Sequence, residues 1–533
     1  MSGRRVLALY GALLLAFFLL VCRLYWLAQN ETYAARARSQ STVTLSLPVP
    51  RGGFYDCRGR PLTGLHRTWQ AVCIPGQASY GRLYRYAGPQ QQAQLYQQRN
   101  ARSPFLVEIR QDLSDQGVPC CPVAQRYGPV PLACHLIGYL DGESRGVSGL
   151  ESALEPLLTA PDARDEILCQ VDARGRLRAG TAPQRQRTEG GAGVRLSLSR
   201  PVQRAVEAVA GQMISSGCVL VLDTATAKVR ASVSLPVFDP NDVAASLERP
   251  GSPLVNRVLQ AYAAGSVFKP VVAAAALESG QEGLVYPCLG AHLVGEQAFH
   301  CASGIAHGPV DLTAALQKSC NGYFIRLGQQ LGAGAVLEMA RALGFGKAVS
   351  LARDLRSAAG QLPSAEELRS SGQFANFCFG QGSLMATPVQ VAGMMNAIAA
   401  KGVYRTPCFV ECALDESTGQ ELQALTHRSA RRVMSAQSAQ RLAEMLAAAV
   451  AEGTGQEAQP RQGAAAGKTG TAQTGQFSAD GQELKNLWFA GFWPADAPQY
   501  TVVVLQDAQL DPPHSSAAVF AKVCEALALL EGE

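Results

Sequence analysis

The sequence predicts an α+β chain in three parts: an apolar N-terminal helix that crosses a membrane, a small mixed domain beside it, and a larger domain of strands and helices. Three observations carry this. Residues Val6 to Cys22 hold no charge, a polar stretch interrupts the chain between about 165 and 195, and the segments beyond it alternate irregularly between strand-like and helix-like patterns. With 533 residues, 47% hydrophobic and 17% charged, the chain exceeds one core and is too apolar for disorder, so two or more folded units are expected.

The uncharged run is 17 residues long, follows Arg4 and Arg5, and precedes Arg23, Tyr25 and Trp26. That length just spans a hydrocarbon core. The paired arginines favour a cytoplasmic N-terminus, the aromatic pair suits the far interface, and no second such run follows, so nearly the whole chain is expected outside the cytoplasmic membrane. A cleaved signal peptide is the alternative reading. Its nearest small-x-small site, Ala35-Arg36-Ala37, lies well beyond the apolar run, which favours an uncleaved anchor. The expected parts are 1–28 as cytoplasmic stub and anchor, 29–190 as a membrane-proximal domain, and 191–533 as the larger domain.

Ser39 to Pro50 alternates like a strand and enters the Gly-rich turn Arg51-Gly52-Gly53-Phe54-Tyr55-Asp56, where the membrane-proximal domain is expected to begin. The stretch DARGRLRAGTAPQRQRTEGGAG has little apolar periodicity and ends that domain. Beyond it, VRLSLSRPVQRAVEAVAGQM reads as a strand and then a helix with Pro201 at its start. GCVLVLDTATAKVRASVSL reads as two strands around a turn. No internal repeat emerges, so one compact domain of about 340 residues is the simpler expectation.

A formal charge of +5 is mild for this length, and no run of Lys and Arg forms a phosphate-binding stripe, which argues against a nucleic-acid partner. Of the fifteen cysteines, Cys22 is in the anchor, Cys120 and Cys121 are adjacent, and the rest show no regular framework. Most are expected to be small buried apolar residues. Cys288 and Cys301 bracket a short Gly-containing segment and form the candidate bridge. His292, His300 and His307 nearby admit a zinc reading, set aside because the spacing matches no compact Cys/His pattern. No metal and no other cofactor is expected.

Only eight lysines occur, none before Lys228, so a lysine inside a motif carries weight. In AGSVFKPVVAAAALESG, Ser266 and Lys269 share one helix face. Pro270 belongs in a first helical turn, so the helix must begin close to Ser266 and present N–H groups and a positive dipole end there. A lysine buried among apolar neighbours loses its proton readily and, one turn away, can take the serine proton. Ser266 is thus the candidate nucleophile and Lys269 its base. Ser-x-x-Lys alone is a weak signal.

Its companions add weight. Ser319-Cys320-Asn321 lies where an apolar helix runs into a polar break, and its hydroxyl and amide suit proton relay and substrate contact. Gly467-Lys468-Thr469-Gly470-Thr471 looks like an edge strand. Gly470 is expected to leave room for a substrate backbone alongside, and Lys468, Thr469 and Thr471 offer a cation and two hydroxyls to a substrate carboxylate. Any one triplet could be a turn or an exposed strand end; all three, in this order and context, point to an acyl-transfer site.

Together these residues resemble the penicillin-recognising serine transpeptidases. The resemblance to class B penicillin-binding proteins covers most of the chain. Arg51 to Asp56 with Gly59, Arg23-Leu24-Tyr25, and Gly146-Val147-Ser148-Gly149-Leu150-Glu151 look like membrane-proximal signatures. Asp239-Pro240-Asn241, Gly380-Gln381-Gly382 with Thr387-Pro388, and Trp488-Phe489 with Gly491 look like catalytic-half landmarks. Ala264 stands where a proline is common and Cys57 where an arginine is common, and the membrane-proximal domain is short.

The resemblance implies a dimerisation-like pedestal, then a transpeptidase domain with an antiparallel sheet flanked by helices. It implies that Ser266 is acylated by the penultimate D-alanine of a peptidoglycan stem peptide, that a neighbouring strand's amine resolves the acyl-enzyme, and that β-lactams trap the same serine. Lys269 becomes the base, Ser319 a relay, Asn321 a substrate contact, and Lys468, Thr469 and Thr471 the carboxylate side, with the N–H groups of Ser266 and Thr471 as oxyanion hole. It further implies a partner glycosyltransferase of SEDS type among divisome or elongasome membrane proteins, since 29–190 is too short for a glycosyltransferase domain.

Two rivals are weighed. A β-lactamase needs a positioned water and base, and no Glu-x-x-Leu-Asn element follows Ser319; Glu366 and Glu367 lie in a polar loop and are expected to be solvated. A sensor or non-catalytic scaffold would transmit rather than turn over, but only five residues precede the apolar run.

Overall fold

A computed structural model describes residues 3–33, 41–74, 79–426 and 429–531. The small-x-small site Ala35-Arg36-Ala37 and Ser39 lie outside them. The uncharged run sits inside one continuous helix, α1 (Gly3–Gln29), longer than the run at both ends. No Pro interrupts it, and arginines are tolerated where a helix leaves the apolar layer. Among the described residues it is the one helix long and apolar enough to cross a membrane.

The chain divides into two compact units. The smaller takes 1–51, 64–126 and 160–191. Its strands are β1 (Thr42–Ser46), β2 (His66–Cys73), β3 (Phe105–Ile109), β4 (Cys120–Gln125), β5 (Asp165–Gln170) and β6 (Gln184–Arg187). β2 lies antiparallel between β3 and β4, and β5 antiparallel between β1 and β6. Leu47, Val72, Cys121, Val123, Ile167 and Cys169 from the two sheets share one core.

The larger unit holds 52–63, 127–159 and 192–533. A single break near 190 was expected, so this differs: Gly52 to Asp56 with Gly59, and Gly146 to Glu151, group with the larger unit, while Arg51 and Arg23-Leu24-Tyr25 stay in the smaller. The reason is pairing and burial. Phe54–Tyr55 pairs in parallel with Gly193–Leu196, and Phe54, Leu136 and Leu150 join the large core. The Asp56 carboxylate accepts from Arg60 Nε at 2.8 Å and from the backbone N–H of Arg200 at 3.0 Å, where helix α2 (Arg200–Met213) begins. Burial alone would raise its pKa, yet these hydrogen bonds outweigh it and hold the group below the ordinary carboxylate value.

The centre of the larger unit is a five-stranded sheet of β7 (Gly217–Asp223), β8 (Val229–Leu235), β9 (Ala466–Phe477), β10 (Glu483–Trp493) and β11 (Tyr500–Gln509), in the order β8-β7-β11-β10-β9. Every neighbouring pair is antiparallel. The runs Cys218–Leu222 and Val502–Leu505 are apolar at each position because both faces are covered. Val219, Val221, Val502 and Val504 pack on one face, in a core with residues of α2 and α7 (Ser516–Glu531). Leu220, Leu222, Val503 and Leu505 face the other core, which holds α3 (Lys269–Glu278), α4 (Asn321–Leu331), α5 (Pro388–Ala399) and α6 (Ala436–Ala451). This is the antiparallel sheet flanked by helices that the resemblance implies. Helix α3 is buried from Lys269 through Leu277, which its alanines allow by letting neighbours approach from every side.

Candidate active site

Ser266 lies in a tight 3₁₀ turn, Gly265–Phe268, that runs directly into α3. The helix was expected to begin close to Ser266; its α-helical part begins at Lys269, with Pro270 in the first turn, where a missing N–H costs nothing. The serine itself is half-buried. Gly265 N–H donates to Gly380 O at 2.8 Å, and Trp488 Nε1 donates to Ala263 O at 3.0 Å. Edge strand β9 presses on the same turn: a Cβ on Gly470 would lie 2.8 Å from Val267 Cγ1 and 3.3 Å from Ala264 O. The space that Gly470 was expected to leave for substrate is therefore taken by the turn that carries Ser266, and the glycine brings strand and serine together.

Lys269 is fully buried. Its Nζ donates to Ser319 O and to Asn321 Oδ1 at 2.7 Å each, and lies 3.0 Å from Ser319 Oγ and 5.6 Å from the centre of the Phe324 ring. Desolvation first, then repulsion from Lys468, holds its pKa well below the ordinary lysine value. Ser319 adopts φ +52, a left-handed conformation that costs a non-glycine residue about 1–3 kcal/mol and gathers at functional sites. Asn321 opens α4, and its Nδ2 donates to His300 O at 2.8 Å, which turns Oδ1 toward the lysine.

Lys468, on β9, is also fully buried, and burial alone lowers its pKa to about 7. Its Nζ reaches Thr469 O and Thr469 Oγ1 at 3.2 Å each and Thr454 Oγ1 at 3.5 Å. Thr469 is half-buried and Thr471 exposed on the alternate face of the strand. A Cβ on Gly265 would meet Thr471 O at 2.5 Å, which measures how closely the two oxyanion candidates' backbones approach. Thr454 escaped the sequence reading. Its Oγ1 lies 2.9 Å from Thr469 Oγ1, and the only local signal is the turn Gly453-Thr454-Gly455 after α6.

Glu366 and Glu367 are exposed. Glu367 Oε2 accepts the N–H of Ser364 at 2.7 Å, within its own loop. Twelve of the fifteen cysteines are buried, and none is disulfide-bonded, so most serve as small core residues. Cys288 and Cys301, the expected bridge, stand 3.7 Å apart at sulfur without a bond. Cys320, between Ser319 and Asn321, lies 3.8 Å from Cys301. Hydrogen bonding from Cys320 and from backbone N–H groups of Gly322 and Asn321 keeps Cys301 below the ordinary thiol pKa despite burial.

Residues 217–525 match the family described as the penicillin binding protein transpeptidase domain. The peptidoglycan D,D-transpeptidase FtsI of Escherichia coli (strain K12) is 26% identical over 433 residues, 75% of this chain and 71% of that protein. The peptidoglycan D,D-transpeptidase PbpA of Mycolicibacterium smegmatis is 29% identical over 417 residues, 72% of this chain and 78% of that protein. A chain from a peptidoglycan synthase complex that coordinates polymerization and crosslinking aligns with TM-score 0.70 and 25% identity over 100% of this chain and 99% of its own. Penicillin binding protein 3 of Mycobacterium tuberculosis, complexed with aztreonam, shares the fold at TM-score 0.66 and 24% identity, over 92% and 97%.

Proposed function

The chain belongs to the penicillin-binding protein transpeptidase family, as a class B peptidoglycan D,D-transpeptidase, and on that premise we propose that Ser266 is its nucleophile and Lys269 its general base. The observation that carries the assignment is the fully buried Lys269 Nζ among three oxygens of Ser319 and Asn321. A neutral amine has two N–H donors and one lone pair. Ser319 O and Asn321 Oδ1, both at 2.7 Å, take the two donors, which leaves the lone pair for a hydroxyl proton.

Ser266 Oγ attacks the carbonyl carbon of the penultimate D-alanine while Lys269 takes its proton. The C–N bond to the terminal D-alanine breaks, and the departing amine receives that proton through the Ser319 hydroxyl. An amine from a neighbouring strand then attacks the ester, forms the cross-link and returns the proton to Ser266. The N–H groups of Ser266 and Thr471 stabilise the oxyanion of each step. Lys468, Thr469 and Thr471 hold the substrate carboxylate, and Asn321 the substrate amide. β-Lactams acylate the same serine.

Helix α1 crosses the cytoplasmic membrane once, N-terminus inside and catalytic unit outside; the paired Arg4 and Arg5 support this orientation. A SEDS-type glycosyltransferase is the partner that supplies glycan, a reading supported by the likeness to a chain of a polymerizing and crosslinking complex. Fluorescent-penicillin labelling with intact mass tests the assignment. A slowly decaying adduct, lost in Ser266→Ala, is expected. Rapid deacylation would overturn it in favour of a β-lactamase, and no adduct on folded wild type in favour of a scaffold.

A further inference from the structure

The larger unit holds a cavity of about 850 Å³ that shares no lining residue with the serine site. It lies between the C-terminal end of the helix Ala333–Ala342, the segment 344–353 and the strands Val403–Arg405 and Glu421–Ala424. Four cations line it, Arg341, Lys347, Arg353 and Arg431, and no carboxylate does. Among the described residues none of the four makes an ion pair. Glu411 and Glu421, on the adjoining strands, pair with Arg195 and Lys228 instead. Asp354 follows Arg353 and Glu338 precedes Arg341 by three residues, and neither lines the cavity.

Two of the lining groups are fixed in place and still have capacity to spare. Arg431 Nη2 donates to Arg341 O at 3.2 Å and to Ala342 O at 2.6 Å, which satisfies carbonyls at the helix end. Its guanidinium lies 5.3 Å from the centre of the Tyr404 ring, while Nε and Nη1 have no partner among the described residues. Tyr404 is 7% exposed. Its hydroxyl stands against Gly344, where an added Cβ would collide with it, and it has no hydrogen-bond partner among the described residues. Burial pushes its pKa up against the pull of Arg431, so the hydroxyl stays a donor. A buried tyrosine hydroxyl ordinarily finds an acceptor, and an anion in the cavity supplies one.

Charge decides the class of that anion. A lone carboxylate offsets one cation of the four. A phosphoryl group carries about −1.5 to −2 charges near neutral pH and presents oxygens that match a guanidinium fork, so two joined phosphoryl groups offset the whole set. Leu154, Val349 and Leu425 add apolar wall, and the volume is in the range of small-molecule sites, which leaves room for an organic substituent. We propose that this cavity binds the diphosphate group of an organic diphosphate, with Arg341, Lys347, Arg353 and Arg431 as its cations and the Tyr404 hydroxyl as a further donor. Binding transfers no group and breaks no bond. The site stands without the transpeptidase reading, because it uses none of the catalytic residues. Soluble and lipid-linked diphosphate esters both carry the recognised group.

The test uses the full chain in detergent and isothermal calorimetry. Inorganic pyrophosphate is expected to bind once per chain, and citrate, of similar charge but built on carboxylates, at least about tenfold more weakly, a contrast that needs no variant. Arg341→Gln combined with Arg353→Gln is expected to weaken pyrophosphate at least about thirtyfold, and Tyr404→Phe about fivefold, with melting temperature and penicillin labelling kept. Geranyl diphosphate, corrected for micelle partition with the double variant, separates the sources: binding about tenfold tighter than pyrophosphate assigns a lipid-linked ligand, and equal or weaker binding a soluble one. No saturable pyrophosphate binding to wild type, citrate bound as tightly as pyrophosphate, or full affinity in the folded double variant would overturn the site. A wild type that binds pyrophosphate but takes no penicillin would sink the transpeptidase reading and leave this site standing.

Discussion

Two lysines meet at this site, both fully buried, and they differ in what surrounds the amine. Lys269 has three oxygens at 2.7–3.0 Å and a second cation nearby. Lys468 has oxygens only at 3.2–3.5 Å. Desolvation lowers both, but repulsion from Lys468 is added at Lys269 alone. The comparison teaches that burial makes a lysine a base only where its neighbours spend its donors and leave a lone pair. Loosely partnered, the same burial leaves an amine near pH 7 that an incoming carboxylate can recharge.

The largest break of this contrast is Lys269→Arg, which keeps a cation that cannot give up its proton. Acylation by penicillin is expected to fall about 10³-fold, measured as the second-order labelling rate; a loss under tenfold would remove Lys269 as base. Next is Lys468→Met. Labelling by a carboxylate-bearing penicillin is expected to fall about 10²-fold while the protein gains about 1–2 kcal/mol, because an ill-paired buried cation is replaced by an apolar chain of like size. A lower melting temperature would show that the lysine's hydrogen bonds outweigh its burial.

The pH dependence sharpens the same point with a smaller effect. In the free protein Lys468 loses its proton near pH 7, so labelling should decline several-fold above that pH, and the decline should vanish in Lys468→Arg. For stability, the folded pKa lies below the unfolded lysine value, so the unfolded chain binds more protons between about 7 and 10.5. The lysine's destabilisation is full below pH 7, and stability rises with pH across that window. Thermal melts at both ends should show a rise in wild type that is smaller in Lys468→Met. The smallest effect is at Thr454, whose exposed hydroxyl joins Thr469 to Lys468. Thr454→Val is expected to cost about fivefold in labelling, near 1 kcal/mol, with no change in melting. A hundredfold loss would mean that Thr454 itself touches substrate.

Much of this was legible beforehand because its geometry is local. Ser266 and Lys269 lie one helical turn apart, and Lys468 to Thr471 alternate on one strand, so spacing carries them. The apolar runs of β7 and β11 announce a sheet covered on both faces. Thr454 and the Cys320 cluster were illegible because each meets partners from other elements, and no periodicity marks such a meeting. The regrouping of 52–63 and 127–159 was hidden for the same reason: Phe54 finds its strand partner at Val194, far along the chain.

The amino-acid sequence by itself determined which segments become helix and strand and which one is apolar enough to span a membrane, and it named the side chains proposed as nucleophile, base and carboxylate-binding edge. Only the tertiary structure decided that both lysines are stripped of water, that Gly470 seats a strand on the serine turn, that Ser319 is held left-handed, and that four cations converge on one cavity. Local conformation follows from neighbours along the chain. Desolvation and convergence depend on which distant surfaces come to exclude water from one another.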